Sequence, residues 1–136
     1  NMIKKYNLKD KIIILKKIND EELEYLYSKA RVFCLPSETK SEAFGVVLIE
    51  AMKYGVPLVV NHIEGSGVNW VNKHNVTGYE IKNKKGKDFF DKVNYLISED
   101  TIHQKFSQSS KDRFKKYFTL DDSIKKLRTI YSNAIK

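Results

Sequence analysis

Short continuous apolar runs and longer stretches of helical spacing alternate along this chain. Ile12–Leu15, Val32–Leu35 and Leu58–Val60 are runs of strand length, the second closed by Pro36, and Thr77–Ile81 reads as another strand. Between the first two, Asn19 or Asp20 caps a helix through about Ala30. Its apolar face carries Leu23, Leu26 and Tyr27, and Glu21, Glu22 and Glu24 sit near its positive end. A second helix starts at Gly45 and stops at the turn Gly55–Pro57, and a short one covers Val68–Asn72. The rest is helical. Lys87–Ser98 is expected to bury Phe90, Val93, Leu96 and Ile97, a middle helix runs roughly from Thr101 to Tyr117, and Asp121–Ile135 carries the stripe Ile124, Leu127, Tyr131, Ala134. Strand and helix in alternation predict an α/β fold, a Rossmann-like parallel sheet with helices on both faces, followed by C-terminal helices.

Composition narrows the class. With 136 residues, 41% of them hydrophobic, the chain buries one core, so residues 1–136 are read as a single domain. The single Cys34 falls in a strand expected to be buried and has no cysteine partner, which suits a reducing, cytoplasmic compartment. Neither a signal peptide nor a run of membrane-spanning length is visible. The net charge of +8 comes from clusters at Lys82–Lys87, Lys111–Lys116 and Lys125–Arg128 that do not interleave with aromatics, so a nucleic-acid partner is not expected. These clusters read first as solvated helix faces and second as attraction to an anionic membrane surface, which would place the protein at the periphery of the membrane's inner face.

Candidate chemistry concentrates in SEAFGVVLIEAMKYGVP, residues 41–57. The leading amides of a helix lack internal partners and its dipole favours negative charge, so Gly45, Val46 and Val47 are placed to receive phosphate oxygens. At about 1.5 Å per residue, Glu50 lies roughly 8 Å along the helix from Gly45, the span from a diphosphate to a nucleotide's ribose hydroxyls. Glu42, before the helix, would face a second sugar. A carboxylate accepts two hydroxyl hydrogen bonds at once, so one acid per sugar ring is chemically sensible. The plainer alternatives are a capping acid paired with a surface acid, or a hydrolase-like acid and base pair.

The pattern EAFGVVLIE, preceded by a strand ending in Leu35, Pro36, Ser37 and followed by AMKYGVPLVV, resembles the C-terminal donor-binding domain of the retaining GT-B glycosyltransferases of family 4. That group 1 family includes many bacterial lipopolysaccharide and capsule transferases. GSGVNWVNKHNVTGYEI, Gly65–Ile81, is similar to a loop, helix and strand of transferases that add hexose or deoxyhexose units to surface glycans. The resemblance implies that Glu42 hydrogen-bonds the transferred sugar as the catalytic carboxylate. It implies too that the amides of Phe44, Gly45, Val46 and Val47 hold that sugar and the diphosphate, and that Glu50 binds the ribose. Such enzymes keep the anomeric configuration and need neither metal nor other cofactor, the nucleotide-diphosphate sugar being the donor substrate. In the family, the loop after the first strand here lies near the nucleotide base, so Lys17 and Ile18 are candidate base contacts, against plain surface residues.

The family's domain also begins with an earlier strand and glycine-rich loop, and sets an arginine and a lysine against the diphosphate; neither has a counterpart here. The expectation is therefore a donor-binding fragment, inactive alone, whose glycan or lipid-linked acceptor would be held by a missing N-terminal domain. A nucleotide-sugar epimerase of the same fold and a non-catalytic nucleotide-sugar-binding or interaction module stay open. His62 and Glu64 follow the strand Leu58–Val60 and can be read as donor contacts or as loop surface, while Trp70 and Tyr79 read as core. His62, His74 and His103 have no metal-site spacing, and none is expected to bind metal.

Overall fold

The computed structural model describes residues 2–83 and 86–134, and of Asp122 the backbone alone. The described elements run α1 (Met2–Lys5), α2 (Asp20–Lys29), β1 (Phe33–Leu35), α3 (Val46–Lys53), β2 (Leu58–Asn61), α4 (Val68–Val71), β3 (Gly78–Ile81), α5 (Gly86–Ser98), α6 (Asp100–Tyr117) and α7 (Leu120–Ala134). The helix α2 begins as its sequence predicts. Asn19 Oδ1 accepts from the Glu22 amide at 2.8 Å while the Glu22 carboxylate accepts from the Asn19 amide at 2.9 Å. This reciprocal box satisfies two amides that a helix start otherwise leaves open.

The strands form a parallel sheet of order β1-β2-β3, with Phe33 beside Leu58 and Leu58 beside Gly78. Every residue of β2 is buried, as a central parallel strand covered on both faces must be. Alternation sends Leu58 and Val60 to one face, where they meet Leu48 and Met52 of α3, Val68 and Val71 of α4 and Tyr27 of α2. Val59 points the other way, against Tyr79, Ile81, Leu96 of α5 and Phe106 of α6. Each such side chain, fully buried, contributes about 1.5 to 3 kcal/mol. The α/β fold with a parallel sheet and helices on both faces is therefore present.

Five expectations are corrected. Ile12–Leu15 is not a strand: among the described residues no neighbouring strand offers it a ladder, and Ile13 and Ile14 are 84% and 66% exposed. Cys34 is exposed, because it shares a sheet face with Val59 and α5 packs there against β2 and β3; its surroundings still hold the thiol above its ordinary pKa by desolvation. In α5, Val93 and Leu96 face the core as expected, but Phe90 and Ile97 do not. Phe89, Val93 and Leu96 meet the second core cluster, whereas Phe90 and Ile97 are exposed on the next stripe. The α7 stripe Ile124, Leu127, Tyr131 is exposed as well, and so is Leu26 of α2. Ile135, the expected end of the last helix, and Lys84 and Lys85 of the first lysine cluster lie outside the described residues. The short α1 was not foreseen, four residues being too few to show a period.

Candidate functional site

The start of α3 is set by Gly45, whose φ of +81° is left-handed; a Cβ built there would stand 2.8 Å from Leu48 Cδ1. The Gly45 amide donates to Glu42 Oε1 at 3.1 Å, so the carboxylate folds back over the helix start. The amides of Val46 and Val47 have no acceptor among the described residues and belong to the positive end of the dipole. Loop 65–67 braces this turn from the side. Ser66 Oγ donates to the Glu42 carbonyl at 2.6 Å and the Gly67 amide to the Ala43 carbonyl at 2.8 Å. A Cβ at Gly67 would lie 2.5 Å from the Phe44 ring, which is why a glycine follows Ser66. Residues 42–45 and 65–67, far apart in sequence, thus form one fixed rim.

Further along α3, Glu50 is half-buried and lines a cavity of about 320 Å³ with Asp20, Leu23, Glu24 and Tyr27 of α2 and Lys53 and Tyr54 beside it. The Tyr27 hydroxyl donates to Glu50 Oε2 at 3.0 Å, and burial together with this carboxylate pushes the phenol well above its ordinary pKa. Lys53 is taken by Glu24 at 3.0 Å, an exposed pair that lowers the pKa of the acid and raises that of the amine. Among the described residues no lysine or arginine pairs with Glu50. A carboxylate held by one neutral donor, inside a cavity and one helix run from open amides, is a hydrogen-bond acceptor with lone pairs to spare.

The other candidates are more scattered. Lys17 is exposed, and Ile18 lines a different cavity with Leu15, Glu21, Glu22, Tyr25 and Leu26, on another face of α2 from Glu50. His62 Nδ1 lies 2.9 Å from a Glu80 carboxylate oxygen, so its ring is engaged across β2 and β3, and Glu64 is exposed. Tyr79 is core, as expected, but Trp70 is 51% exposed, flanked by Phe44, Tyr117, Phe118 and the Arg113 guanidinium. Arg113 closes the end of α4 by donating to the Val71 and Trp70 carbonyls. Among the described residues no group of three or more His, Cys, Asp or Glu is placed to hold a metal ion.

Sequence reasoning missed three features. Tyr27 was read as core only. A cavity of about 410 Å³ at the carboxyl ends of β1 and β2, bounded by Pro36, Asn61, Phe89 and Phe90, left no motif. The buried network behind Asn72 and Thr77 also went unread: Thr77 Oγ1 donates to Asn72 Oδ1 at 2.9 Å and accepts from the Lys73 amide at 2.8 Å, and Asn72 Nδ2 donates to the Tyr79 carbonyl at 3.2 Å. Polar residues at 0% exposure were the available signal in structure, but in sequence they look like any loop.

Residues 1–113 match the family profile described as glycosyl transferases group 1. The O-antigen chain mannosyltransferase C of Escherichia coli is 28% identical over 119 residues, which is 88% of this chain and 32% of that protein. Among solved structures, sucrose-phosphate synthase from Thermosynechococcus elongatus superposes with a TM-score of 0.84 at 21% identity, over 98% of this chain and 33% of that one. The Anabaena protein HepE, solved in complex with UDP-glucose, gives 0.77 at 18% identity, over 96% and 35%. The chain thus spans about a third of the length of each of these three proteins.

Proposed function

The chain belongs to the group 1 glycosyl transferases, and from that premise we propose that it is the donor-binding part of a retaining enzyme. The enzyme would move a hexose or deoxyhexose from a nucleotide-diphosphate sugar to a glycan or lipid-linked acceptor of a surface polysaccharide. The observation that carries the reading is the pairing of Glu50, held by Tyr27 in a cavity and paired with no lysine or arginine among the described residues, with the open amides of Val46 and Val47. They stand about 6 Å or less apart along one helix, counted at 1.5 Å per residue, so one rigid element spaces the ribose and phosphate contacts.

On this reading the ribose diol donates to Glu50 and the diphosphate oxygens accept from the first amides of α3, whose dipole favours the charge that grows on the departing nucleotide. Glu42 would accept from a hydroxyl of the transferred sugar through the carboxylate oxygen that the Gly45 amide does not hold. The rim formed by Ser66, Gly67 and Phe44 keeps that carboxylate in place. No nucleophile from the chain is called on; positioning and charge stabilisation do the chemistry. The O-antigen mannosyltransferase and the complex of HepE with UDP-glucose support the classes of acceptor and donor. Extension of the lysine clusters toward an anionic membrane would suit a lipid-linked acceptor.

The test is a transfer assay on the full-length protein over a panel of nucleotide sugars, with NMR of the product's anomeric carbon. The reading predicts an α-linked product from an α-linked donor and a loss of kcat of at least about a hundredfold in Glu42→Gln, the scale of a lost transition-state contact. An inverted product, or a Glu42→Gln enzyme as fast as the parent, contradicts it.

A further inference from the structure

We propose that Tyr27 is a positioning residue for nucleoside recognition, its hydroxyl fixing the Glu50 carboxylate so that the protein prefers a ribose bearing its 2′,3′-diol. The inference rests on the reading of Glu50 as the ribose acceptor.

Tyr27 is 93% out of contact with solvent, its residual exposure being 7%, and its ring is wedged between Phe33, 5.8 Å away, and Tyr54, stacked at 5.9 Å. Packing alone would be served by phenylalanine, so the hydroxyl calls for its own explanation. It carries one proton. Of its two neighbouring acceptors, Glu50 Oε2 at 3.0 Å is within good bonding distance and the Val47 carbonyl, at 3.5 Å, is at the limit. The proton therefore goes to the carboxylate, from a phenol whose ring cannot rotate away. An ionised carboxylate offers about four lone-pair sites, and Tyr27 takes one on Oε2. Glu50 lines the cavity, and its remaining lone pairs suit a cis-diol, which presents two donors side by side.

Two consequences separate this from a packing role. A free glutamate must be ordered when a ligand arrives, whereas Glu50 is ordered beforehand, so the hydroxyl favours ligands that use the carboxylate and ignores those that do not. A fixed acceptor also discriminates sharply against a sugar lacking its hydroxyls, because its lone pairs are then left without donors. Tyr27 thus acts on the choice between ribose and deoxyribose through Glu50, without touching the nucleotide.

The experiment measures dissociation constants of UDP, GDP and their 2′,3′-dideoxy counterparts for the full-length parent, Tyr27→Phe, Glu50→Ala and the double variant. For the ribonucleotide that binds, Tyr27→Phe is expected to weaken affinity about threefold to tenfold, the equivalent of one hydrogen bond, and to leave the dideoxy form unchanged. Glu50→Ala should abolish the diol preference, and the double variant should be no weaker than Glu50→Ala alone. Phe33→Leu, which disturbs the ring and spares the hydroxyl, should lower stability and keep the preference. Equal weakening of both ligand forms by Tyr27→Phe, or none, overturns the Tyr27 role while a selective loss in Glu50→Ala leaves the ribose reading standing. If Glu50→Ala shows no selective loss, or neither ribonucleotide binds, the ribose reading falls and this inference with it. Should Tyr27→Phe not fold, the parent decides: the Tyr27 hydroxyl proton resonance must shift on adding the ribonucleotide and stay put with its dideoxy form.

Discussion

At Gly45 the backbone enters α3 from a left-handed turn, and the same residue supplies the amide that holds Glu42. Alanine there meets both a strained φ and the Leu48 side chain, so Gly45→Ala should cost about 1 to 3 kcal/mol, read as a lower urea midpoint. Tyr27 makes a pH prediction. Its folded pKa lies above the unfolded value near 10, so the unfolded chain releases this proton first as pH rises. Its contribution is fully present below about pH 10 and is lost above it, and a Tm profile from pH 8 to 11 should fall more steeply in the parent than in Tyr27→Phe. Glu42, Gly45 and Glu50 were legible because they lie within nine residues of one another in a single stretch. The partner of Glu50 was not, since Tyr27 lies 23 residues away and only the packing of α2 on α3 brings it near.

Among the elements, α2, α3 and the strands β1 to β3 could be read because caps, turns and apolar runs coincide there. Asn19→Ala should lower stability by about 1 kcal/mol through loss of the capping box, measured by urea unfolding. What pattern does not show is whether a segment finds a neighbour. Ile12–Leu15 has the composition of a strand and, among the described residues, no ladder, and α5 has two apolar stripes of which the sheet covers the one at Phe89, Val93 and Leu96. The two ends of the loop between α4 and β3 have the opposite character, Asn72 and Thr77 being polar in sequence and buried in structure. Thr77→Val keeps the shape but strips Asn72 Oδ1 of its donor and the Lys73 amide of its acceptor, so about 1 to 3 kcal/mol should be lost, visible as a lowered Tm.

Over the whole molecule, β2 supplies side chains to a core cluster on each face of the sheet, whereas large apolar side chains stay exposed at Ile13, Ile14 and along α7. Because Leu127 is 52% exposed, Leu127→Glu should change unfolding free energy by less than about 0.5 kcal/mol; a loss above 2 kcal/mol would mean that the face is packed. Among the described residues no helix is long and apolar enough to cross a membrane. The fold class was legible because strand-length apolar runs bounded by turns alternate with stretches of helical spacing. Which nucleotide and which sugar belong to it was not, since an acid at a fixed spacing accepts any diol. Saturation-transfer NMR of the full-length protein with UDP, GDP and dTDP, using Glu50→Ala as control, tests the donor-site account most directly. It predicts saturation of the ribose protons of UDP or GDP that vanishes in Glu50→Ala; ribose saturation that survives the substitution, or none with either, would contradict it.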